Sequence, residues 1–403
     1  MRVLALAVLV LLLPSAALAD GLVTDLDRRA LERLQDPPLG LPMVVPQPVD
    51  NPATAEKIAL GRKLFFDRRL SHNATMSCAM CHVPEQGFAQ NELATSVGVE
   101  GRTVKRNAPT VLNSAYQARL FHDGREESLE LQVLGPLLAR NEMANPSVGY
   151  VLATIRAAPD YDGLFEAAFG GPVSLLYLGR AIAVYERTLL SGDSPFDRWR
   201  FGGQRDAVDA AVKRGFTLFS GKALCISCHF AGGDDALFTD HELHNTGIGY
   251  RNDVLDRGDE GSVRVEVAPG VFMQVERSVI DAVGEKPPKD LGRMEVTHDP
   301  DDLYAFKTPG LRDVALTAPY MHDGSLPTLR AVIDFYDRGG IDNPNLSPIM
   351  RPLKLTEAEK DDLLAFLRSL TGGTVADVIA EARSGGVGNV SGYAREQEGS
   401  GKD

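Results

Sequence analysis

The chain has 403 residues and a formal net charge of −13 at pH 7, with 42 Lys and Arg against 55 Asp and Glu. So acidic a protein is a poor candidate for nucleic-acid binding, because phosphate contacts depend on clustered basic side chains. The length suffices for two domains with extensions. The negative charge either steers a basic partner toward the protein or serves solubility alone.

The N-terminus, over positions 1–19, has the pattern of a secretory signal peptide. Arg2 precedes an apolar run over positions 3–13, and the small-residue site Ala-Leu-Ala occupies 17–19. This pattern predicts cleavage after Ala19 and export, which in a bacterium means the periplasm. Because the run is too short to cross a bilayer and no later stretch approaches the required length, we expect no membrane span.

Composition divides the remaining chain into an arm, two domains and a tail. Residues 20–52 are rich in proline, which predicts an extended arm, whereas Gly, Ser and charged residues over 376–403 predict a flexible tail. Domains are expected at 53–200 and 206–375. The linker between them is predicted near 192–205, where Ser-Pro and Gly-Gly pairs interrupt the pattern.

Helical periodicity dominates both domains and long alternating runs are scarce, so the sequence predicts an all-α fold. The clearest helical patterns cover residues 55–65, 175–191, 207–219 and 357–370. Residues 263–275 are the best candidate for a small hairpin or loop.

All four cysteines of the chain lie in two Cys-x-x-Cys-His segments, at residues 78–82 and 225–229. In such a segment each thiol can form a thioether to a haem vinyl group, and the adjacent histidine ligates the iron. The alternatives are a zinc knuckle, whose cysteine pairs usually lie closer together, and two disulfides, which would not explain a histidine placed identically twice. The sequence therefore predicts two covalent haems. Their attachment residues and proximal ligands are Cys78, Cys81, His82, Cys225, Cys228 and His229.

After each of these segments the chain repeats itself at a constant offset, without a gap. The matching stretches are Ala108-Pro109 with Thr308-Pro309, His122-Asp123-Gly124 with His322-Asp323-Gly324, and Ser128-Leu129 with Thr328-Leu329. A glycine-led stretch, 61–65 or 215–219, also precedes each segment. The simplest account is two haem domains derived from one duplicated ancestor, with a longer insertion in the second copy.

With these motifs the chain resembles the bacterial di-haem cytochrome c peroxidases and their MauG-type relatives over residues 52–370. Besides the two haem segments, the motifs are Arg106-Asn107-Ala108-Pro109-Thr110, Asp123-Gly124-Arg125, Glu142-Met143-Ala144-Asn145, His244-Asn245-Thr246-Gly247 and Ala318-Pro319-Tyr320-Met321-His322-Asp323-Gly324. The resemblance implies two all-α cytochrome c-like domains and a calcium ion near their interface. Asn107 matches the side-chain calcium ligand, and carbonyls around 307–309 would supply others.

The group opposite each proximal histidine decides what a haem can do, because a closed haem only passes electrons whereas an open one can bind peroxide. Met321 is placed to close the second haem, and Tyr320 is the competing ligand, because MauG uses a tyrosine there. In the first domain Phe121 holds the equivalent place and cannot ligate. Val99 stands where many relatives carry a histidine that closes this haem until the enzyme is reduced. The first haem is therefore expected to be the peroxidatic one, open without reductive priming.

The resemblance assigns three residues to the chemistry of the first haem. Glu142 matches the distal acid that moves a proton between the peroxide oxygens, and Gln132 matches a distal hydrogen-bonding residue. His122 stands where the family usually has a tryptophan that bridges the haems electronically. Histidine is a poorer hole carrier, and the chain's one tryptophan is Trp199, in the predicted linker.

Three functions are compatible with these residues. The first is a peroxidase that reduces hydrogen peroxide with electrons from a small periplasmic cytochrome c or copper protein. The second is a MauG-type enzyme that uses peroxide to oxidise aromatic side chains of a partner protein. The third is an electron carrier with both haems closed, which Val99 and Glu142 argue against. The resemblance also allows a homodimer.

Overall fold

The computed structural model describes residues 22–384 apart from 256–260, 269, 277 and 280–288. The predicted signal peptide and residues 385–403 of the predicted tail therefore lie outside the described residues. Within them the fold is rich in helix, as predicted, and strands are few and short. No helix in this part of the chain is both long and apolar enough to cross a membrane.

Eight helices of nine residues or more are described. They are α1 Asp25–Gln35, α2 Ala55–Phe66, α3 Val148–Arg156, α4 Leu175–Arg187, α5 Ala210–Ser220, α6 Leu329–Asp337, α7 Glu357–Arg368 and α8 Val375–Ser384. Shorter helices are Cys78–Cys81, Leu129–Gln132, Leu134–Leu138, Leu164–Phe169, Pro195–Arg200, Ile248–Tyr250 and Met294–Thr297. The four helical patterns expected from the sequence are thus α2, α4, α5 and α7, each shifted by a few residues at its ends.

Four strands form two small antiparallel sheets among the described residues. β1 Leu243–His244 pairs with β4 Phe306–Lys307. β2 Ser262–Ala268 pairs with β3 Val271–Glu276, which confirms the hairpin expected near 263–275.

In each half of the molecule, a pair of helices packs at very close range around a glycine. A Cβ atom placed on Gly61 of α2 would lie 2.0 Å from the carbonyl oxygen of Ala181 on α4. A Cβ on Gly215 of α5 would lie 2.1 Å from the carbonyl oxygen of Asp362 on α7. The glycine-led stretches before the two cysteine segments therefore set how closely these helices approach, because any larger residue would push them apart.

The predicted linker contributes to the second core. Residues Pro195–Arg200 form a helix that starts with a capping box from Ser194 and Asp197. Phe196 is fully buried and packs edge-to-face against Phe238 and Phe366, at ring-centroid distances of 5.5 Å each. The expectation of a plain linker at 192–205 is wrong for this helix, since Ser-Pro here begins a helix instead of interrupting one.

Two further corrections concern the chain ends. The predicted arm at 20–52 begins with α1, whose Ala30 and Leu34 are buried, and the predicted tail at 376–403 begins within α8, whose Val378 and Ala382 are buried in the first core. Proline and glycine content dominated these predictions, although both helices carry apolar residues at helical spacing.

Candidate functional site

A single cavity of about 730 Å³ joins the two cysteine segments. Its walls include all six residues predicted to attach and ligate haem: Cys78, Cys81, His82, Cys225, Cys228 and His229. The cysteines form no disulfide with one another, so the two-disulfide alternative is wrong. Among the described residues, one group of three potential metal ligands lies close together, Cys228, Asp240 and His244, which does not match a zinc knuckle made from both cysteine segments.

A single helical turn brings each histidine back beside its cysteines. The N–H of His82 donates to the carbonyl of Cys78 at 2.9 Å, and that of His229 donates to the carbonyl of Cys225 at 2.8 Å. Each segment thus presents two thiols and one imidazole to the cavity from a compact turn. This arrangement suits attachment of a flat haem macrocycle over the imidazole ring.

Both imidazoles are held as neutral rings with the proton on Nδ1, the form that can ligate a metal through Nε2. The Nδ1 of His82 lies 3.3 Å from the carbonyl oxygen of Phe88, and the Nδ1 of His229 lies 2.9 Å from that of Phe238. Burial lowers the pKa of both histidines, so each ring is neutral and donates its Nδ1 proton to the carbonyl. That leaves Nε2 as the nitrogen available to iron, an orientation typical of metal-ligating histidines. The residues present therefore fit two haems.

The predicted acid and amide both line the cavity, on the side of the first half. Glu142, Gln132 and Phe121 line the same cavity as His82. Burial raises the pKa of Glu142, and the nearby Arg125 opposes this. A carboxyl group with a raised pKa keeps its proton to a higher pH than an ordinary glutamate, which suits a general acid.

Phe121 is fixed from two sides. The Arg125 guanidinium lies 3.4 Å from the ring centroid of Phe121, and a Cβ on Gly135 would lie 3.0 Å from the tip of that ring. The ring occupies a defined place at the cavity wall and offers no ligand atom. This supports the prediction that the first distal face is open.

The backbone of Val99 is hydrogen-bonded to the segment that carries Glu142. It is 2% exposed, and its N–H donates to the carbonyl of Glu142 at 2.9 Å. Its side chain is not part of the cavity wall, and neither is His72, another histidine of the first half that could be considered as a closing ligand. This contact is not predictable from the sequence, in which Val99 is notable only as a position without a histidine.

The two candidates for the second distal ligand differ in their contacts. Met321 and Tyr320 both line the cavity. The Tyr320 hydroxyl donates to the carbonyl of Val314 at 2.9 Å, and burial raises the pKa of Tyr320 to about 12. A phenol that is engaged elsewhere and hard to ionise is a poor ligand, whereas the Met321 thioether needs no deprotonation. This contrast favours Met321.

The loops that carry Phe121 and Met321 cross-link the two halves. The N–H of Lys307 donates to the carbonyl of His122, and the N–H of Asn107 donates to the carbonyl of His322, each at 2.7 Å. The His122 Nε2 lies 2.9 Å from the carbonyl oxygen of Asn107. Burial, with His322 nearby, lowers the pKa of His122 to about 3, so this histidine is neutral. His122 thus lies between the halves, as expected for a bridging residue, whereas Trp199 packs in the second core.

The residues expected to bind calcium line the cavity between the two cysteine segments. The Asn107 side-chain amide donates to the carbonyl of Ala94 at 2.9 Å. The carbonyl oxygen of Thr308 accepts from the Thr239 hydroxyl at 2.8 Å and from the Lys307 ammonium at 3.3 Å. None of these hydrogen bonds uses the side-chain oxygen of Asn107, and calcium at this place stays a prediction.

A helix-rich protein with two Cys-x-x-Cys-His segments on one cavity, each with an imidazole Nε2 available to iron, is in the class of di-haem c-type cytochromes. Residues 55–206 match the sequence profile of a family described as di-haem cytochrome c peroxidase. The chain is similar to the methylamine utilization protein MauG of Methylorubrum extorquens, with 40% identity over 331 residues that cover 82% of each chain.

One further relative and one solved structure are similar to this chain in the same way. Cytochrome-c peroxidase IdrP1 of a Pseudomonas species is 38% identical, over 83% of this chain and 86% of that protein. The crystal structure of a MauG-like protein associated with microbial copper homeostasis superposes with a TM-score of 0.66 at 34% identity, covering 83% of this chain and 95% of that one. The chain belongs to the di-haem cytochrome c peroxidase family, whose members are oxidoreductases with two c-type haems.

Proposed function

We propose that this protein is a periplasmic di-haem peroxidase that reduces hydrogen peroxide to two waters, with two electrons and two protons. The observation that carries the proposal is the asymmetry of the two distal faces. Phe121, which cannot ligate, stands in the first half where Met321 stands in the second, and both line the cavity. A c-type haem supplies an iron with a proximal histidine and a distal position that is either open or closed. The first site therefore receives peroxide and the second stores an electron.

The residues of the first site supply the proton chemistry. Glu142 would take a proton from one peroxide oxygen and return it to the departing oxygen, a transfer that its raised pKa supports. The Gln132 amide, on the same wall, orients the peroxide by hydrogen bonding. Phe121 and its stacked Arg125 exclude bulkier molecules and competing ligands from the distal face.

With both haems bound, electrons would pass from the second site to the first through the junction of the two halves. His122 and its hydrogen bond to the Asn107 carbonyl lie on this route, and both residues line the cavity. The neutral imidazole is a weaker relay than an indole, so we expect this step to be slower than with a bridging tryptophan.

Gene duplication is the proposed origin of this arrangement. At equivalent positions of the repeat, Leu120 forms an isolated β-bridge with Glu126, and Tyr320 forms one with Leu326. The next residues, Phe121 and Met321, both have a positive φ, 62° and 74°. Matching backbone conformations at matching positions support a common ancestor for the two halves, beyond the sequence repeat alone.

Location, donor and assembly remain predictions. The signal-peptide pattern at 1–19 supports export and cleavage after Ala19, which the N-terminal sequence of protein recovered from periplasm would check. The donor is expected to be a small cytochrome c or copper protein, and it would show as saturable oxidation of that reduced protein in the presence of peroxide. The predicted homodimer would show as a doubled mass in light scattering.

The test of the proposed function is steady-state peroxide reduction by the di-haem protein with a reduced small c-type cytochrome as donor. Glu142→Gln should retain both haems and lose roughly 10²- to 10⁴-fold in rate. Glu127→Gln, at an exposed position outside the cavity wall, is the matched control and should keep the wild-type rate. An unchanged rate in Glu142→Gln would place the proton shuttle elsewhere.

The second candidate is MauG-type oxidation of a partner protein's aromatic side chains. The buried Val99, which leaves the first distal face without a closing histidine, supports this candidate as well as the first, because both functions need direct reaction of the oxidised protein with peroxide. Reaction with peroxide without oxidation of any small donor protein would favour this candidate over the first.

A further inference from the structure

Glu186, on α4, carries a buried carboxyl group that faces the cavity without a partner. It is 6% exposed and lines the cavity, and its carboxyl oxygens form no hydrogen bond or ion pair with any of the described residues. The neighbouring Arg187 is engaged elsewhere, in an ion pair with Glu130 at 2.7 Å. Because an unpartnered carboxyl group is costly to bury, its presence needs a reason other than stability.

The helix crossing that positions Glu186 has an exact counterpart in the second half. A Cβ on Gly61 would lie 2.8 Å from the Cβ of Tyr185 on α4. A Cβ on Gly215 would likewise lie 2.8 Å from the Cβ of Phe366 on α7. Tyr185 and Phe366 therefore hold equivalent places in the two halves.

The residue that follows this ring differs between the halves. Glu186 follows Tyr185, whereas Leu367 follows Phe366. Leu367 is 8% exposed and lines the same cavity, so an apolar side chain fills this place in the second half. The packing of the two helices therefore does not require a carboxyl group. It is found only in the half where Phe121 offers no ligand to the iron.

Glu186 lies near the attachment point of the first haem. Burial, and after it the nearby Glu186, raise the pKa of the Cys78 thiol, on which Glu142 of the distal segment acts more weakly. Cys78 has no ionisable proton once it forms a thioether. Burial also raises the pKa of Glu186 to about 8, so that a change in nearby charge can alter its protonation near neutral pH.

The other ionisable groups that face Glu186 keep a constant charge. Arg187, on the same helix, and Glu130, on the helix Leu129–Gln132, act on it with opposite signs and are paired with each other. The Tyr185 hydroxyl stays protonated, because burial raises its pKa. The charge that varies beside Glu186 is therefore that of the first haem site.

The proposed reaction consumes two protons that Glu142 alone does not supply. Moving a proton from one peroxide oxygen to the other changes its position and not the number of protons. The two protons that end in water must come from solvent, one for each electron. A group that binds a proton as an electron arrives would keep the two supplies in step.

We propose that Glu186 stores a proton for the first haem site and takes it from solvent as an electron arrives there. Arrival of one electron removes one positive charge near the carboxylate, which binds one proton and becomes the neutral acid. When the electron leaves for peroxide, the acid releases that proton toward the water that forms. The inference rests on the proposed function, in which the first haem is the open one.

The experiment is a redox titration of both haems in the di-haem protein, from about pH 4.5 to about 8, the ordinary and raised pKa values of this carboxyl group. In wild type the potential of the first haem should fall as the pH rises, with a slope that approaches one proton per electron, because an ionised carboxylate opposes arrival of an electron. Glu186→Gln should keep both haems, lose most of this slope and hold the higher potential that wild type has at low pH.

Two controls accompany this variant. Glu186→Leu, which installs the residue of the second half, should behave as Glu186→Gln does and provides a second variant if one folds poorly. Glu127→Gln, at an exposed position outside the cavity wall, should follow wild type. The potential of the second haem, beside Leu367, should respond to pH in the same way in all four proteins.

Two results would overturn the proposal. One is a first-haem slope that is the same in wild type and both Glu186 variants. The other is a pair of variants that fold but do not attach the first haem, since the carboxyl group would then serve haem binding. The measurement needs no peroxide turnover. Wild type that shows the slope without reducing peroxide would contradict the proposed function alone, and active wild type without the slope would contradict this inference alone.

Discussion

The carbonyl oxygen of His122 accepts a 2.7 Å hydrogen bond from the N–H of Lys307. In the second copy of the repeat, the carbonyl oxygen of the equivalent residue, His322, accepts a hydrogen bond from the N–H of Asn107, also at 2.7 Å. Each bond fixes the residue directly after Phe121 or Met321. The junction between the halves therefore also positions the two side chains that decide which haem is open.

Met321→Ala should leave the second haem without its distal ligand. The absorption spectrum of the oxidised protein should gain high-spin character, and the reduction potential of that haem should fall, because thioether ligation raises it. Tyr320→Phe, which removes only the hydroxyl bonded to Val314, should change neither quantity. A spectral change in Tyr320→Phe alone would identify the phenolate as the ligand.

Phe121→Met should close the first haem by placing a thioether where the second half has one. Because the two positions share a positive φ, the new side chain can approach its haem as Met321 does. The oxidised protein should become low-spin at both haems and lose its direct reaction with peroxide, as followed by stopped-flow absorbance. Phe121→Leu enlarges the site without offering a ligand and should keep the reaction.

Glu186 should make stability depend on pH. This carboxyl group faces the cavity and is 6% exposed, and burial raises its pKa to about 8 from an ordinary value of 4.5. A raised pKa means that the folded state binds the proton more tightly. The stabilisation is therefore complete below pH 4.5 and is lost as the pH rises through about 8.

Urea unfolding of wild type and Glu186→Gln across that pH range would measure the effect. The variant should lose part of the pH dependence and be the more stable protein at alkaline pH. Glu127→Gln, at an exposed position, should follow wild type. Parallel curves for wild type and Glu186→Gln would mean that this carboxyl group is ionised in the folded protein.

Gly61→Ala should destabilise the first half. The added methyl would lie 2.0 Å from the Ala181 carbonyl oxygen, so α2 and α4 must move apart, at a cost of about 1–3 kcal/mol in the free energy of unfolding. Gly149→Ala, on the exposed start of α3, meets nothing closer than 3.6 Å and should stabilise by about 0.4–1 kcal/mol. Equal effects of the two substitutions in denaturant titrations would contradict the close packing at Gly61.

The sequence predicted the site well where a local motif is enough to identify the chemistry, without knowledge of distant partners. Two Cys-x-x-Cys-His segments predict two histidines that face one cavity, since a single helical turn suffices to bring each histidine back to its cysteines. The constant offset of the repeat likewise placed Phe121 against Met321, and the structure gives both the same backbone conformation.

Long-range partners could not be predicted in the same way. Nothing local to Val99 shows that its N–H will bind Glu142, and nothing local to Lys307 shows that its ammonium will meet Gln117. Both contacts join segments far apart in the chain, so they depend on how the halves pack. Composition was misleading at the two ends of the chain. The prolines after α1 and the glycines after α8 led to the prediction of an extended arm and a flexible tail, where two short amphipathic helices are present.

The course of the chain makes the first half a discontinuous domain. Its core includes Val378 and Ala382 of α8, and Arg33 of α1 pairs with Glu381 at 2.5 Å, so the two ends of the described chain are fastened together. The second half is in effect inserted between α4 and α8. During synthesis it can fold before the first half has received its last helix, although the first half is made earlier. Deletion of α8 should therefore weaken the first half and spare the second, the reverse of what linear order along the chain suggests.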